Sequence, residues 1–149
     1  MTHTDVSIID RSVHTTNAWL KQIAEAMGED DRADAYRALR AVLHALRDRL
    51  TVDEAAQFAA QLPELIRGIF YDGWDPSATP QHYATASEFL RRVVVEARMH
   101  GTTEASTAVE ATMAVVRDHV SEGEMEDVMA VLPRGIRELL APLPAAPSR

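Results

Sequence analysis

The sequence has no cysteine. That excludes a disulfide framework, a thiolate nucleophile, a zinc–thiolate knuckle and a cysteine-ligated iron–sulfur cluster. Aromatic residues are scarce, with three Phe, three Tyr and two Trp in 149 residues, so aliphatic packing has to supply most of the cohesion. Lysine is nearly absent, and 15 basic against 23 acidic residues leave a formal charge of -8. Nucleic acid and anionic membranes are therefore disfavoured as partners, because any nonspecific attraction works against net repulsion. No apolar run approaches the length of a membrane span, and the Met1-Thr2-His3-Thr4-Asp5 start lacks the basic and then apolar regions of a secretory signal, so the expected setting is the cytoplasm. Neither a Gly-x-Ser-x-Gly elbow nor a phosphate-binding glycine series ending in Lys-Ser or Lys-Thr occurs.

What the chain does have is helical periodicity throughout, at the size of one domain. Asp10 to Met27 repeats Val13, Trp19, Leu20, Ile23, Ala24 and Met27 along one side, with Gly28 as its stop. After the acidic run Glu29-Asp30-Asp31, a second stripe passes through Tyr36, Leu39, Val42, Leu43, Leu46 and Leu50. Thr51 with Glu54, Thr85 with Glu88 and Ser121 with Glu124 have capping-box spacing, Gly101 is placed to end the helix begun at Thr85, and Thr103 to cap the one after it. Pro63 and Pro133 kink or break the helices in which they fall.

Sliding the chain against itself by 70 residues superposes Leu62-Pro63 on Leu132-Pro133 without a gap. In the same register Trp19-Leu20 falls on Phe89-Leu90, Arg47-Asp48 on Arg117-Asp118, Thr51 on Ser121, Glu54 on Glu124 and Ile66-Arg67 on Ile136-Arg137. Caps, core stripes and proline agree together, which predicts an internal repeat. The expected fold is all-α, a tandem duplication of a three-helix unit with a Pro-kinked or Pro-broken third helix, packed as one bundle. Residues 1–149 form a single domain in this reading, with repeat one at 10–75, repeat two at 80–141 and a flexible Pro-rich tail at 142–149. Antiparallel packing would set Asp48 against Arg67 and Asp118 against Arg137, or leave all four in solvent.

Chemistry-bearing residues are present without a complete constellation. His44 and Asp48 share a helix face at i,i+4 spacing, but no second histidine accompanies them, and His44 falls on Ala114 in the repeat register. His14 with Asp10, His3 with Asp5 and Asp118 with His119 likewise lack a third partner, while Asp30-Asp31 and Asp53-Glu54 coincide with helix starts. Arg91, Arg92 and Arg98 form a short basic stretch without interleaved aromatics for base stacking, and Glu88 is the expected partner of Arg92. No catalytic residue, metal ligand or cofactor is assigned. The most distinctive run is Arg67-Gly68-Ile69-Phe70-Tyr71-Asp72-Gly73-Trp74, in which Phe70 belongs to a core stripe. Arg67, Tyr71, Asp72 and Trp74 either seal the seam between the repeats or present an amphipathic patch to a partner.

The run from Leu62 to Trp74, coupled to Leu132-Pro133-Arg134-Gly135-Ile136-Arg137-Glu138-Leu139, resembles the bacterial family of domains of unknown function numbered 2267, from about Asp10 to Leu140. The resemblance implies a compact all-helical protein with duplicated halves, and no established catalytic residue, cofactor or substrate. The function expected is a noncatalytic helical interaction or regulatory module. It is compatible with a protein partner or a homo-oligomer. The alternative is an enzyme or small-ligand binder with a pocket at the seam. A convergent, buried His–acid–Arg cluster would favour that pocket, and an exposed Tyr71–Trp74 patch would favour protein binding.

Overall fold

Helix ends are set by a few local devices. In the computed structural model, which describes residues 6–144, Gly28 adopts φ 73° and closes α1 (Ser7–Met27) by donating its N–H back to the Glu25 carbonyl. Asp31 then caps α2 (Arg32–Arg47) by accepting the Ala33 N–H at 2.8 Å. At Thr51 both halves of a capping box form, Thr51 Oγ1 accepting from the Glu54 N–H and Glu54 accepting from the Thr51 N–H, and this starts α3 (Val52–Ala59). Pro63 stands immediately before α4 (Glu64–Tyr71). A short 3-10 turn at Pro76–Ala78 leads through the linker to α5 (Ala86–Ala97), begun by the Thr85–Glu88 capping box. The remaining helices are α6 (Thr102–His119), α7 (Glu122–Val131) and α8 (Arg134–Leu140), the last again preceded by proline. The described residues thus form eight α-helices and no strand.

Several local expectations are corrected. Gly101 does not end α5; Arg98 does, at φ 56° in the left-handed region, with the Met99 N–H returned to the Val94 carbonyl. Gly101 instead precedes α6 in extended conformation, and Thr103 lies inside that helix rather than capping it. Ser121 accepts from the Glu124 N–H, but its own N–H goes to Gln61 Oε1 at 3.1 Å, so the third box is half formed and its other half is a tertiary contact. Asp48 pairs with Arg47 at 2.8 Å, and Arg67 donates to the Ala59 and Leu62 carbonyls, which replaces the expected Asp48–Arg67 pair. Asp118 and Arg137 form no ion pair among the described residues. The His3–Asp5 pair and tail residues 145–149 lie outside the described residues.

The core is built around α2 and α6. Every residue from Ala41 to Arg47 is buried, because α2 is covered by α1, α4, α5 and α6 on successive sides. Likewise α6 is covered by α1, α2, α5 and α8, and buried Ala35, Ala38, Ala105 and Ala108 leave room for close helix approach. Helix α3 meets α4 and α7, while α4 and α8 rest on α1 and α5 respectively.

These caps carry measurable stability. Thr51→Ala and Ser121→Ala are each expected to cost about 0.5–2 kcal/mol in urea unfolding, since each removes the acceptor of one helix-start N–H. The reciprocal bond from the Thr51 backbone N–H to Glu54 survives in Thr51→Ala, so the two variants should cost about the same. Unchanged midpoints and slopes would contradict the assignment.

Candidate functional site

The last turn of α4 exposes backbone carbonyls that a helix end cannot satisfy by itself. In this protein α2 satisfies them. His44 is 5% exposed, with Nε2 at 2.7 Å from the Ile69 carbonyl and Nδ1 at 2.9 Å from Glu96 Oε2 of α5. One turn on, Arg47 is 4% exposed and donates from Nε to Asp48 Oδ1 at 2.8 Å and from one terminal nitrogen to the Phe70 and Asp72 carbonyls, both at 2.9 Å. Arg40 adds an ion pair to the exposed Asp72 carboxylate, holding that carboxyl below its ordinary range.

The linker completes the cluster from the other side. Gln81 donates its N–H to the Asp48 carbonyl at 2.7 Å, the Arg49 Nε–H reaches the Tyr83 carbonyl at 2.8 Å, and the buried Tyr83 hydroxyl bonds the Ala45 carbonyl. Burial raises the Tyr83 pKa above its usual value. Arg92 bonds Gln81 and lies 4.2 Å over the Tyr83 ring, while Glu88, its expected partner, is used by the Thr85 capping box.

His44 and Arg47 are buried while Glu96, the acid partner of His44, is exposed, and a groove of about 370 Å³ between α2 and α5 is lined by His44, Glu96, Ala45, Asp48, Arg91 and Arg92. The cluster's chemistry is inward-looking. Both His44 ring nitrogens are engaged by protein groups, the Ile69 carbonyl and the Glu96 carboxylate, so neither is turned to a substrate. Arg47 spends its donors on α4 and Asp48. Among the described residues no three His, Asp or Glu side chains form a group able to hold a metal.

The sequence-derived candidates divide. Asp72 belongs to this network through its side chain to Arg40 and its carbonyl to Arg47. Tyr71 and Trp74 are half-buried, meet in a tilted pair with centroids 5.2 Å apart and rest on the core, Tyr71 edge-on to Phe70. Arg67 stays apart from them: it fastens α4 to the end of α3, where Pro63 prevents the helix from continuing. Single-sequence reading missed His44 and Arg47 as network members. The available signal was two polar residues on the long apolar stripe of α2.

Seventy positions further on, the corresponding end is different. Arg117, half-buried at the end of α6, donates to the Leu140 carbonyl at 2.6 Å and to no other acceptor among the described residues. Burial lowers its pKa, with Asp118 acting only through charge. An open groove of about 420 Å³ lies at this point, with Met113, Ala114, Leu139 and Leu140 on its walls and Glu110 and Asp118 at its rim. A smaller depression of about 250 Å³ shares Arg117 and Pro142 and is lined by Met125 and Met129.

No helix among the described residues is long and apolar enough to cross a membrane. No curated protein matches the chain. A family model described as "Uncharacterized conserved protein (DUF2267)" matches residues 16–139, which takes in both leucine–proline runs and reaches from α1 into α8. The chain belongs to the DUF2267 family.

Proposed function

We propose that this protein is a noncatalytic, cytoplasmic regulatory or interaction module made of two copies of one helical unit, one self-sealed and the other open to bind. Duplication is supported by the packing: exchanging α1–α4 for α5–α8 turns the α1–α2, α2–α5, α2–α4 and α1–α4 contacts into α5–α6, α6–α1, α6–α8 and α5–α8 contacts, all of which occur. The α2–α6 and α3–α7 contacts map onto themselves, as a two-fold arrangement requires. Only the α3–α4 contact lacks a counterpart of similar extent.

The observation that carries the functional reading is the inequality of Arg47 and Arg117. The first has three acceptors and is buried, whereas the second has one and borders an open groove. At the sealed end His44, Arg40, Tyr71 and Asp72 close the α2–α4 junction. Their counterparts Ala114, Glu110 and Pro142 lack the side chains that bond there, and Ala141 has no ring. A half-buried guanidinium beside apolar walls is suited to hold a partner's acceptor while the walls take its apolar body.

The other reading places a ligand in the α2–α5 groove, at the seam between the copies. Arg91 favours it, having no hydrogen bond or ion pair among the described residues. Against it stands the internal pairing of His44, Glu96, Arg47 and Asp48. Titrating methyl-labelled protein with indole separates the two by NMR. Perturbation centred on Met113, Leu139 and Leu140 is the expected result; perturbation centred on Ala45 and Val95 would move the site to the seam.

A further inference from the structure

We propose that the α6–α8 groove takes a small aromatic monocarboxylate, its carboxylate gripped by Arg117 and its ring laid against Leu139 and Leu143, over the buried Met113 and Leu140. This rests on the reading of that groove as the binding site, and adds the chemical class of what binds.

Three observations define the class. The molecule itself shows what closes such an end: in the sealed copy, Arg47 receives the Asp72 carbonyl as a further acceptor, and Tyr71 and Trp74 lay their rings on the core beside it. At the corresponding places the open copy has Pro142, Ala141 and Pro144: Arg117 makes no bond to the Pro142 carbonyl, and no ring stands where Tyr71 and Trp74 do, so an acceptor contact and a ring are absent together among the described residues. A ligand that supplies both restores the arrangement.

Charge sets the second limit. Arg117 uses one acceptor, and its planar fork fits a carboxylate through two parallel N–H bonds. Burial lowers its pKa without an ion-paired acid to offset the cost, so an incoming carboxylate stabilises a charge that the fold leaves poorly compensated. Glu110 and Asp118 at the rim repel further negative charge, which favours a monoanion over a phosphate ester or a dicarboxylate.

Size and softness set the third. A groove of about 420 Å³ suits a bicyclic ring with a short acid arm, and Met125 and Met129 in the adjoining depression can adjust to its outline.

The test uses the full chain with indole-3-propionate, its uncharged counterpart indole-3-propionamide, and glutarate as an acid without a ring. Methyl NMR gives the location and the dissociation constants. Indole-3-propionate is expected to bind at Met113, Leu139 and Leu140 at least about tenfold more tightly than the amide, as a charge-assisted contact requires, with glutarate weaker still. In Arg117→Gln, shown to be folded by its unfolding curve, the acid's advantage should vanish, whereas Arg91→Gln at the α2–α5 groove should preserve it. Equal binding of acid and amide to the native protein would overturn the carboxylate assignment while leaving the groove in place, and this comparison decides even where Arg117→Gln does not fold. Tighter binding of glutarate would overturn the aromatic assignment. Failure of all three probes, and of indole, to shift the groove methyls would overturn the groove reading itself.

Discussion

Arg47→Met is expected to cost about 3–5 kcal/mol, because it removes a buried cation whose partners remain behind. Methionine keeps most of the stem's volume, so the loss reports polar contacts rather than a cavity. Two carbonyls at the end of α4 lose their donor, and the Asp48 carboxylate is left with Arg92 at 3.9 Å as its nearest cation. Arg117→Met should cost only about 1 kcal/mol, since one half-buried bond is lost and the Leu140 carbonyl lies beside an open groove. Urea unfolding of both variants measures the difference. Similar losses would mean that the two ends are energetically alike and would remove the contrast on which the proposed sealed and open copies rest. Arg47→Lys should recover only part of the stability, because an ammonium cannot reproduce the fork that reaches Asp48 and both carbonyls together.

Helices were legible wherever a cap and a stripe coincided. Gly28, Asp31, Thr51 and Thr85 mark real boundaries because each acts within a few residues of itself. The misplaced boundaries have a common physical reason. Arg98 accepts a left-handed backbone so that Met99 can return its N–H to Val94, and Glu104 reaches back to the His100 N–H where a Thr103 cap was expected. Ser121 exchanges its local box partner for Gln61, 60 residues away in sequence. Two of these competing bonds are local and one crosses the fold, and in each the backbone path selects a partner that cap spacing alone does not give.

The candidate site was harder to read for the same reason. Asp48 and Arg67 suggested an ion pair by proximity in an imagined antiparallel packing, but helix ends compete for donors. Arg67 goes to the carbonyls that the Pro63 break leaves open, and Arg47 claims both Asp48 and the end of α4. His44 looked like an ordinary flank residue because its repeat counterpart is alanine. That asymmetry was the informative part: at the two positions related by the 70-residue offset, only His44 can bond the end of the following helix. The aromatic run was recognised as distinctive from its composition, yet only the Arg40–Asp72 and Arg47–Asp72 bonds show how it is tied down.

Trp19 is the place where the two proposed copies can be compared inside the core, and Trp19→Ala is expected to cost about 3–5 kcal/mol. The side chain is 1% exposed and stacks on the His119 ring of α6, with centroids 4.6 Å apart and planes 23° from parallel, so its loss opens the α1–α6 interface rather than a surface dimple. Its indole N–H is buried without a protein acceptor. Such a donor costs about 1–3 kcal/mol, which makes Trp19→Phe a sharper experiment than the alanine variant. Phenylalanine removes the unpaired N–H, keeps an aromatic face for His119, and is what the chain already uses at the corresponding position, where Phe89 is fully buried. The smaller ring gives up contact area, so the two changes oppose each other and Trp19→Phe should lie within about 1 kcal/mol of the native protein. Thermal and urea unfolding of both variants read the result. A Trp19→Phe loss as large as that of alanine would show that the indole's full shape, rather than an aromatic ring at this position, holds α1 against α6.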